Sequence, residues 1–455
     1  MGSKKDQMLA KASLVVKEAE AMGASQTEAR VVLQRTSLTR LANSIIDQNV
    51  SDNIARVCIT LYYGQKKGTV RVDVFDDDSI KAAVKSASSI AKISPDIKEF
   101  KSLPNPKPYS DALDGEDLAP KGSLEATPEQ RAEFAMTAVS TAHDVDSRIR
   151  AVAGAVSHQA TESVLVNSLG VETHSLRTRS NINLTIMAED GTEETAGWAE
   201  DHQRDFSKLN VVEVARKAAE KAATGFGMRN LEPGEYEIVL ESSAISGLTF
   251  YMGYIGFSAM SYQDYRSFLI DKLGEKMFSD SLFLWDDSLD PRHITPAIAD
   301  DEGIPKSRID LVESGVVKNL VYNSLTAAKD GLESTGHHAE MWGQGLPFPR
   351  HMIIKEGDSN LDEMIAETKR GILVTHFHYQ NPVDPTKGVL TGLTRDGTWY
   401  IENGEIKWPL KTLRYTDALP RFLGNVDLIG GYGKLRHMNY FFPPRKLPSF
   451  RISGS

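Results

Sequence analysis

Residues 371–416 read GILVTHFHYQNPVDPTKGVLTGLTRDGTWYIENGEIKWPLKTLRYT, and their pattern indicates how the C-terminal half folds. Its apolar and polar side chains alternate with a period of two. Ile372, Val374 and His376 therefore fall on one side of a strand, and the residues between them fall on the other. β-Branched and aromatic residues recur further along the stretch, which is typical of strands.

Three dipeptides in this stretch predict the turns between its strands: Asp384-Pro385, Asp396-Gly397 and Asn403-Gly404. Asp-Gly and Asn-Gly between extended runs are strong hairpin signals, because both central residues of a type I′ turn need positive φ. The stretch is therefore predicted to form a meander of antiparallel strands.

Several short runs resemble the TldD/PmbA family of zinc-dependent peptidases and their non-catalytic partners. They occur in a fixed order and extend the resemblance over most of residues 234–454. The runs are DDEGIP at 300–305, then Arg308, ESTG at 333–336, TGLTRDGT at 391–398 and IENGEI at 401–406. The resemblance implies a peptidase-related C-terminal domain.

Length and composition predict two domains of a globular protein. The chain has 455 residues, of which 25% are charged and 40% hydrophobic. The net charge is −10, and no cluster of Lys and Arg is interleaved with aromatic residues. Because a phosphate-binding surface needs a basic stripe, nucleic acid is not an expected partner, although family members have been labelled modulators of DNA gyrase.

The N-terminal part is predicted to be an α+β domain over residues 1–230, with a mixed or antiparallel sheet and helices. Both of its halves run from a helix into strands, which suggests a duplication, but no repeat of individual residues is visible. Glycine and proline at 225–234 mark a boundary. The C-terminal domain, over residues 234–455, is predicted to be a mostly antiparallel, strongly curved β-sheet with a buried helix.

That helix is predicted at residues 243–260. Residues 242–263 carry no formal charge and are numerous enough to span a bilayer, but they include five serines, three glycines and three tyrosines. We therefore expect burial inside the protein rather than a membrane span. The single cysteine, Cys58, permits no intrachain disulfide, so the expected location is the reducing cytoplasm.

The resemblance implies a zinc site that this sequence does not repeat. Catalytic members carry His-Glu-x-x-x-His on the equivalent helix and a cysteine ligand near the C-terminus. Here the helix reads SAISGLTFYMGYIGFSAM, no histidine lies between His202 and His293, and Leu447 stands in place of the cysteine. The chain is thus expected to hold no cofactor itself. It resembles the non-catalytic TldE/PmbA branch, whose members pair with a zinc-bearing TldD subunit to cleave small or unfolded peptides.

Other residues are candidates for a site. His376 and His378 lie two apart on a predicted strand, which is a usable spacing for metal ligands or simply for polar strand residues. Four further residues are expected either to form turns and ion pairs or to shape a peptide groove or partner interface. These are Arg308, Arg395 with Asp396, and Arg414. The adjacent His337 and His338 are expected at the surface.

Two alternative functions remain open at the level of sequence. One is an independent metal-dependent hydrolase that uses His376 and His378. The other is a non-enzymatic, homodimeric peptide-binding protein.

Overall fold

Six long antiparallel strands form the N-terminal sheet in the computed structural model, which describes residues 4–113, 118–437 and 440–454. The order across the sheet is β3-β2-β1-β4-β5-β6. Its strands are β1 Gln26–Ala42, β2 Ile45–Tyr63, β3 Lys66–Val72, β4 Ile149–Asn167, β5 Glu172–Glu189 and β6 Glu194–Gln203. The accompanying helices are α1 Lys4–Ala21, α2 Asp77–Ile93, α3 Lys121–Leu124, α4 Pro128–Val145 and α5 Val211–Ala223, with a 3₁₀ turn at Phe206–Lys208.

The predicted duplication is visible in this topology. A long helix, three antiparallel strands and a second long helix occur twice, first as α1, β1 to β3 and α2, then as α4, β4 to β6 and α5. The two copies meet where β1 pairs with β4. The long helices cover one face of the sheet, where apolar residues of alternate strand positions pack in two clusters. The opposite face of β1, β4 and β5 carries several polar side chains, which include Arg30, Gln34, Gln159, Thr161, Arg177 and Arg179.

A residue-level repeat, which the sequence analysis missed, appears where each second helix crosses its sheet. A Cβ on Gly68 would lie 2.0 Å from the carbonyl oxygen of Ala87, and a Cβ on Gly197 would lie 2.1 Å from that of Ala218. Both glycines sit on the outer strand of their copy. Only glycine permits such an approach of helix backbone to strand.

Five strands of the C-terminal half close into a ring in the order β14-β7-β19-β17-β15, and β15 pairs back onto β14. All of these pairings are antiparallel except β7 with β14. The strands of this half are β7 Gly234–Leu240, β8 Leu284–Asp286, β9 Ile309–Glu313, β10 Val316–Val317, β11 His338–Met341, β12 Gln344–Pro347, β13 Met352–Ile354, β14 Arg370–Asp384, β15 Val389–Glu402, β16 Glu405–Pro409, β17 Arg414–Ala418, β18 Leu428–Ile429 and β19 Arg445–Gly454. The α+β class is confirmed, with 26% helix and 41% strand.

The helices of this half are short. They are α6 Ser242–Met252, α7 Ala259–Gln263, α8 Ser324–Asp330, α9 Leu361–Ala366 and α10 Leu419–Leu423, with a π-helical turn at Gly253–Phe257 and a 3₁₀ turn at Pro385–Lys387. The expected helix over 243–260 is therefore interrupted. Within the described ranges, no helix is both long enough and apolar enough to cross a membrane.

Two of the three predicted turns are confirmed, and one is wrong. Asp384 leads into the 3₁₀ turn between β14 and β15, and Asn403 with Gly404 forms the turn between β15 and β16 at φ values of 53° and 80°. Asp396 and Gly397 instead lie inside β15, with φ values of 51° and 134°. The register between β14 and β15 shifts at this point, so the two residues form a β-bulge inside the strand instead of a turn.

The acidic run at residues 300–302 joins the two halves of the molecule. Asp301 binds Arg30 of β1 at 2.9 Å and Arg350 at 2.7 Å. Glu302 accepts hydrogen bonds from the backbone and hydroxyl of Ser324 at the start of α8. Asp301 and Glu302 therefore have different partners, although they are adjacent in the chain.

Glu28 of β1 faces this junction, and its ionisation is expected to destabilise the fold. Burial, then the neighbouring Glu302, raises the pKa of Glu28 from 4.5 to about 7, against the opposing charges of His338, Lys67 and Arg30. The folded chain therefore holds a proton that the unfolded chain releases near pH 4.5, so stability from this group is lost as pH rises to about 7. Glu28→Gln should raise the free energy of unfolding at about pH 8 by on the order of 2 kcal/mol, and leave it unchanged below pH 4.5.

The measurement is chemical denaturation of both proteins across this pH range. Glu125→Gln, at an exposed position of the same half, is the matched control and is expected to change stability by less than about 0.5 kcal/mol. Equal pH dependence in wild type and Glu28→Gln would contradict the assignment.

Candidate functional site

Helix α6 and the π-helical turn that follows it run beside β14 and pack into the core enclosed by the closed ring of strands. The N-terminus of α6 is held from two sides. Glu241 binds Lys221 of α5 at 2.9 Å and accepts from the Thr375 hydroxyl of β14 at 3.2 Å, while the Ser243 hydroxyl donates to the backbone carbonyl of Thr375. The helix therefore begins at the junction of the two halves.

Most of the uncharged segment is buried, as the sequence predicts. Ile245, Leu248 and Met252 face the core. The larger side chains of α6 and its π turn that remain partly accessible are Phe250, Tyr251 and Tyr254. Beyond its first turn, the side chains that this helix offers to a substrate or a partner lie mainly on that aromatic side.

A tryptophan from the β11–β12 hairpin extends this side into a continuous surface. The Trp342 ring centroid lies 5.4 Å from that of Tyr254 and 6.2 Å from that of Phe250, and the residue is 62% exposed. We call Phe250, Tyr251, Tyr254 and Trp342 the aromatic surface. Such a group of partly uncovered rings is typical of an interaction site.

The structure brings four of the predicted site residues together on β14 and β15. An Arg395 guanidinium nitrogen lies 3.2 Å from Nδ1 and 3.3 Å from Nε2 of His378, so the arginine covers that imidazole. Asp396 lies 3.5 Å from Arg395 and 3.8 Å from Nε2 of His376. These residues form one polar patch beside the bulge.

His376 is also covered from the N-terminal half. Its ring centroid lies 4.3 Å from that of Trp198 on β6. Burial, then the nearby charge of Lys221, lowers the pKa of His376 to about 3, so the imidazole is neutral at physiological pH. The two histidines thus have different environments, one under an indole and one under a guanidinium.

The other two predicted site residues lie elsewhere. Arg308 binds Asp310 at 2.8 Å and lies over the Trp285 ring at 4.5 Å in the small sheet formed by β10, β9, β8 and β13. Arg414 is an exposed residue of β17 whose backbone pairs with Leu393. Neither residue joins the polar patch on β14.

Zinc does not fit on this helix. The hydroxyls of Ser246 and Thr249 donate to backbone carbonyls one turn earlier, both at 2.9 Å, and Leu447 is packed in the core. Zinc sites in peptidases are built from imidazole, thiolate or carboxylate ligands, and the accessible side of α6 offers aromatic rings instead. In the part of the chain that the structure describes, no three His, Cys, Asp or Glu residues are grouped to hold a metal.

Sequence reasoning missed the contribution of β6 and its neighbours to this region. A cavity of about 350 Å³ lies at the N-terminus of α6 and is lined by Trp198, Glu200, Lys221 and His437, among others. Burial raises the pKa of Glu200, but the hydrogen bonds and the charges of His202 and His437 together lower it to about 2. No local motif marks these residues, because they meet only through the packing of the two halves.

Comparison with known proteins places these features in a family context. Models of three PmbA/TldA metallopeptidase domains match residues 27–91 (domain 1), 121–226 (central domain) and 233–454 (C-terminal domain). The Escherichia coli O157:H7 protein named metalloprotease PmbA is 26% identical, over 87% of this chain and 85% of its own length.

Haemophilus influenzae carries two relatives. Its PmbA homologue is 25% identical over 91% of this chain and 89% of its own length. Its TldD homologue is 22% identical over 76% of this chain and 73% of its own length. Among solved structures, TldE from Thermococcus kodakarensis has a TM-score of 0.89 at 23% identity, covering 98% of this chain and all of that one.

Proposed function

The chain belongs to the PmbA/TldA metallopeptidase family, and from that premise we propose that it is a non-catalytic subunit of a zinc peptidase. In this proposal the chain pairs with a zinc-bearing relative of the TldD type, and the pair cleaves small or unfolded peptides in the cytoplasm. This chain supplies walls of the joint cavity, and the relative supplies the metal.

One observation carries the proposal: the accessible side of α6 presents Phe250, Tyr251 and Tyr254 where a metallopeptidase helix needs ligands and a base. Zinc hydrolysis requires a metal that polarises the scissile carbonyl, a water with lowered pKa, and a carboxylate that takes its proton. Aromatic rings can do none of this. They can cover a partner or hold an extended peptide.

The aromatic surface supports pairing. Tyr, Trp and Phe are enriched in the buried centres of interfaces, where a few such residues account for most of the binding free energy. The presence of a PmbA homologue and a TldD homologue in one organism, Haemophilus influenzae, is consistent with two complementary chains. A self-paired form would use the same surface.

The test is peptide hydrolysis by the separate chains and by the co-expressed pair. We expect no cleavage of a short, unstructured, quenched-fluorescent peptide by this chain alone, and chelator-sensitive cleavage by the pair with a His-Glu-x-x-x-His relative. Zinc content, measured on each preparation, should follow the relative and not this chain. The matched control is the pair whose relative carries Gln in place of the motif glutamate, which should assemble without cleaving.

Robust, chelator-insensitive cleavage by this chain alone would overturn the proposal. One zinc per isolated chain, lost in His376→Ala/His378→Ala, would instead support an independent metal-dependent hydrolase. Tight self-association without binding of any relative would favour a homodimeric binding protein.

A further inference from the structure

A second cavity lies between the polar face of the N-terminal sheet and the loops of the C-terminal half. Its volume is about 340 Å³. β1, β4 and β5 form one wall, and residues of the 295–301 and 337–351 segments form the other. The site described above lies at β6 and α6, so this cavity is separate from it.

Five cationic side chains line this cavity: Arg30, Arg177, Arg179, Lys306 and Arg350. Three of them have carboxylate partners. Arg30 and Arg350 both bind Asp301, and Lys306 binds Asp286 at 3.3 Å. The wall therefore holds more positive charge than its own carboxylates neutralise.

Arg177 and Arg179 are the remaining two. They are two residues apart on β5, so their side chains leave the sheet on the same face. Within residues 4–113, 118–437 and 440–454, neither guanidinium has a hydrogen-bond or ion-pair partner. Burial lowers the pKa of Arg177 to about 10 despite the attraction of Asp301. Arg177 is partly buried, whereas Arg179 is exposed. A partly buried cation without a partner is costly, so an anion bound at Arg177 would relieve that cost, and Arg179 would supply further N–H donors to it.

The remaining carboxylate of the wall, Asp300, does little to neutralise these arginines. Burial, then the neighbouring Glu302, raises its pKa to about 7, so it is partly protonated at neutral pH. Its oxygens already accept backbone N–H groups of Glu302, Ile304 and His338. The positive charge of the cavity therefore persists.

A larger cavity of about 980 Å³ adjoins the first, and Arg30 and Arg177 line both. Its wall includes the apolar side chains of Leu165 and Ile298. A ligand that spans the two cavities has an anionic end beside the arginines and an apolar part next to it. A peptide that ends in an apolar residue with a free carboxylate has this chemistry.

We propose that Arg177 and Arg179 bind the carboxylate of a peptide whose adjacent apolar side chain occupies the larger cavity. The inference rests on the proposed function for the class of ligand, a peptide. Guanidinium and carboxylate match in geometry, because two parallel N–H donors meet two oxygens. The cavity would then hold a substrate or product end while the partner cleaves elsewhere.

The experiment measures binding by fluorescence anisotropy on this chain alone, so it is independent of any peptidase activity. The probes are fluorescein-labelled Gly-Ser-Leu with a free carboxylate, the same peptide as its amide, and Gly-Ser-Glu amide. Hydrogen bonds to a charged group are stronger than those between neutral groups, so the free acid should bind at least about tenfold more tightly than the leucine amide. Arg177→Gln and Arg179→Gln should each remove that preference.

Arg150→Gln is the matched control, because Arg150 lies on β4 of the same sheet but binds Glu189 and Glu194 at the surface. It should keep the preference. Since Arg177→Gln breaks no ion pair, its melting temperature should match that of wild type, and Arg177→Lys should keep part of the affinity. Equal affinity for acid and amide, or equal effects of the three Gln variants, would overturn the proposal.

Two further probes in the same binding experiment show which kind of anion the site binds. Binding of the Gly-Ser-Glu amide as tight as that of the free acid would support a carboxylate site and assign it to acidic side chains. Displacement by inorganic phosphate, with no difference between acid and amide, would overturn the carboxylate assignment. If the chain binds the free acid through these arginines but the subunit pair does not hydrolyse peptides, the proposed function is contradicted and the carboxylate site is not.

Discussion

Replacing Asp286 with Ala is expected to lower the free energy of unfolding by about 3–5 kcal/mol, the range for a buried ion pair that loses one partner. Asp286 is 0% exposed. Its carboxylate accepts hydrogen bonds from Lys306 at 3.3 Å, from Nε2 of His337 at 3.0 Å and from the backbone N–H of His351 at 2.6 Å. The substitution leaves an ammonium group and two further donors buried without an acceptor.

The negative charge of Asp286 accounts for part of the stability that Asp286→Ala loses. Burial alone would raise its pKa, but the charge of Lys306 and then the contacts with His337 hold that pKa well below 3.8. Asp286→Asn keeps an acceptor for the His351 amide but loses the charge, so it should fall between wild type and Asp286→Ala. Urea denaturation at neutral pH measures all three proteins.

Asp310→Ala is the matched control. Asp310 binds Arg308, but both side chains are about half exposed, at 52% each. A surface ion pair of this kind contributes between about 0 and 1 kcal/mol. If Asp286→Ala costs no more than Asp310→Ala, the buried network is not a main source of stability.

His337 marks one limit of sequence reasoning. His337 and His338 are predicted from sequence to lie at the surface, and this prediction is wrong, since His337 is completely buried against Asp286 and His338 is mostly buried. The partners of His337 and His338, Asp286 and Glu302, lie 51 and 36 positions earlier in the chain. Burial of paired polar residues depends on such distant partners, which a local reading does not supply.

Short sequence signals predict a turn correctly where the turn depends only on its own residues. Asn403 and Gly404 form the turn that the sequence predicts, and both adopt positive φ. Asp396 and Gly397 carry the same signal but form a bulge, since β15 continues to Glu402 with β14 still paired beside it. An Asp-Gly dipeptide therefore predicts positive φ, but it does not predict whether the chain turns back to form a hairpin.

The candidate site depends more strongly on distant packing. His376 and Asp396 are named by sequence, yet the residues that decide the environment of His376 are Trp198 and Lys221, from the other half of the chain. Closure of the ring pairs β7 with β14, more than a hundred positions apart. Sequence pattern predicted a strongly curved sheet with a buried helix, but not that these residues meet.

Replacing Tyr254 with Lys is expected to weaken pairing with a zinc-bearing relative at least about a hundredfold, which corresponds to about 2.7 kcal/mol. Tyr254 lies between Trp342 and the helix core, so an ammonium group here would be taken from water when a partner covers the aromatic surface. Removing a charge from water without an opposite charge costs several kcal/mol. The affinity of the purified chains, measured by calorimetry, reports the loss.

Ile406→Lys is the matched control, because Ile406 is an apolar residue of β16 that is 46% exposed and does not belong to the aromatic surface. It should leave the affinity unchanged. Tyr254 also packs against the core, so Tyr254→Lys could reduce folding instead of pairing. Trp342→Ala separates these effects, since Trp342 is 62% exposed on a hairpin and its removal should weaken pairing while the melting temperature stays within a few degrees. If Trp342→Ala and a folded Tyr254→Lys both pair as tightly as wild type, the partner covers a different face, and the rings of α6 would then be free to line the peptide cavity itself.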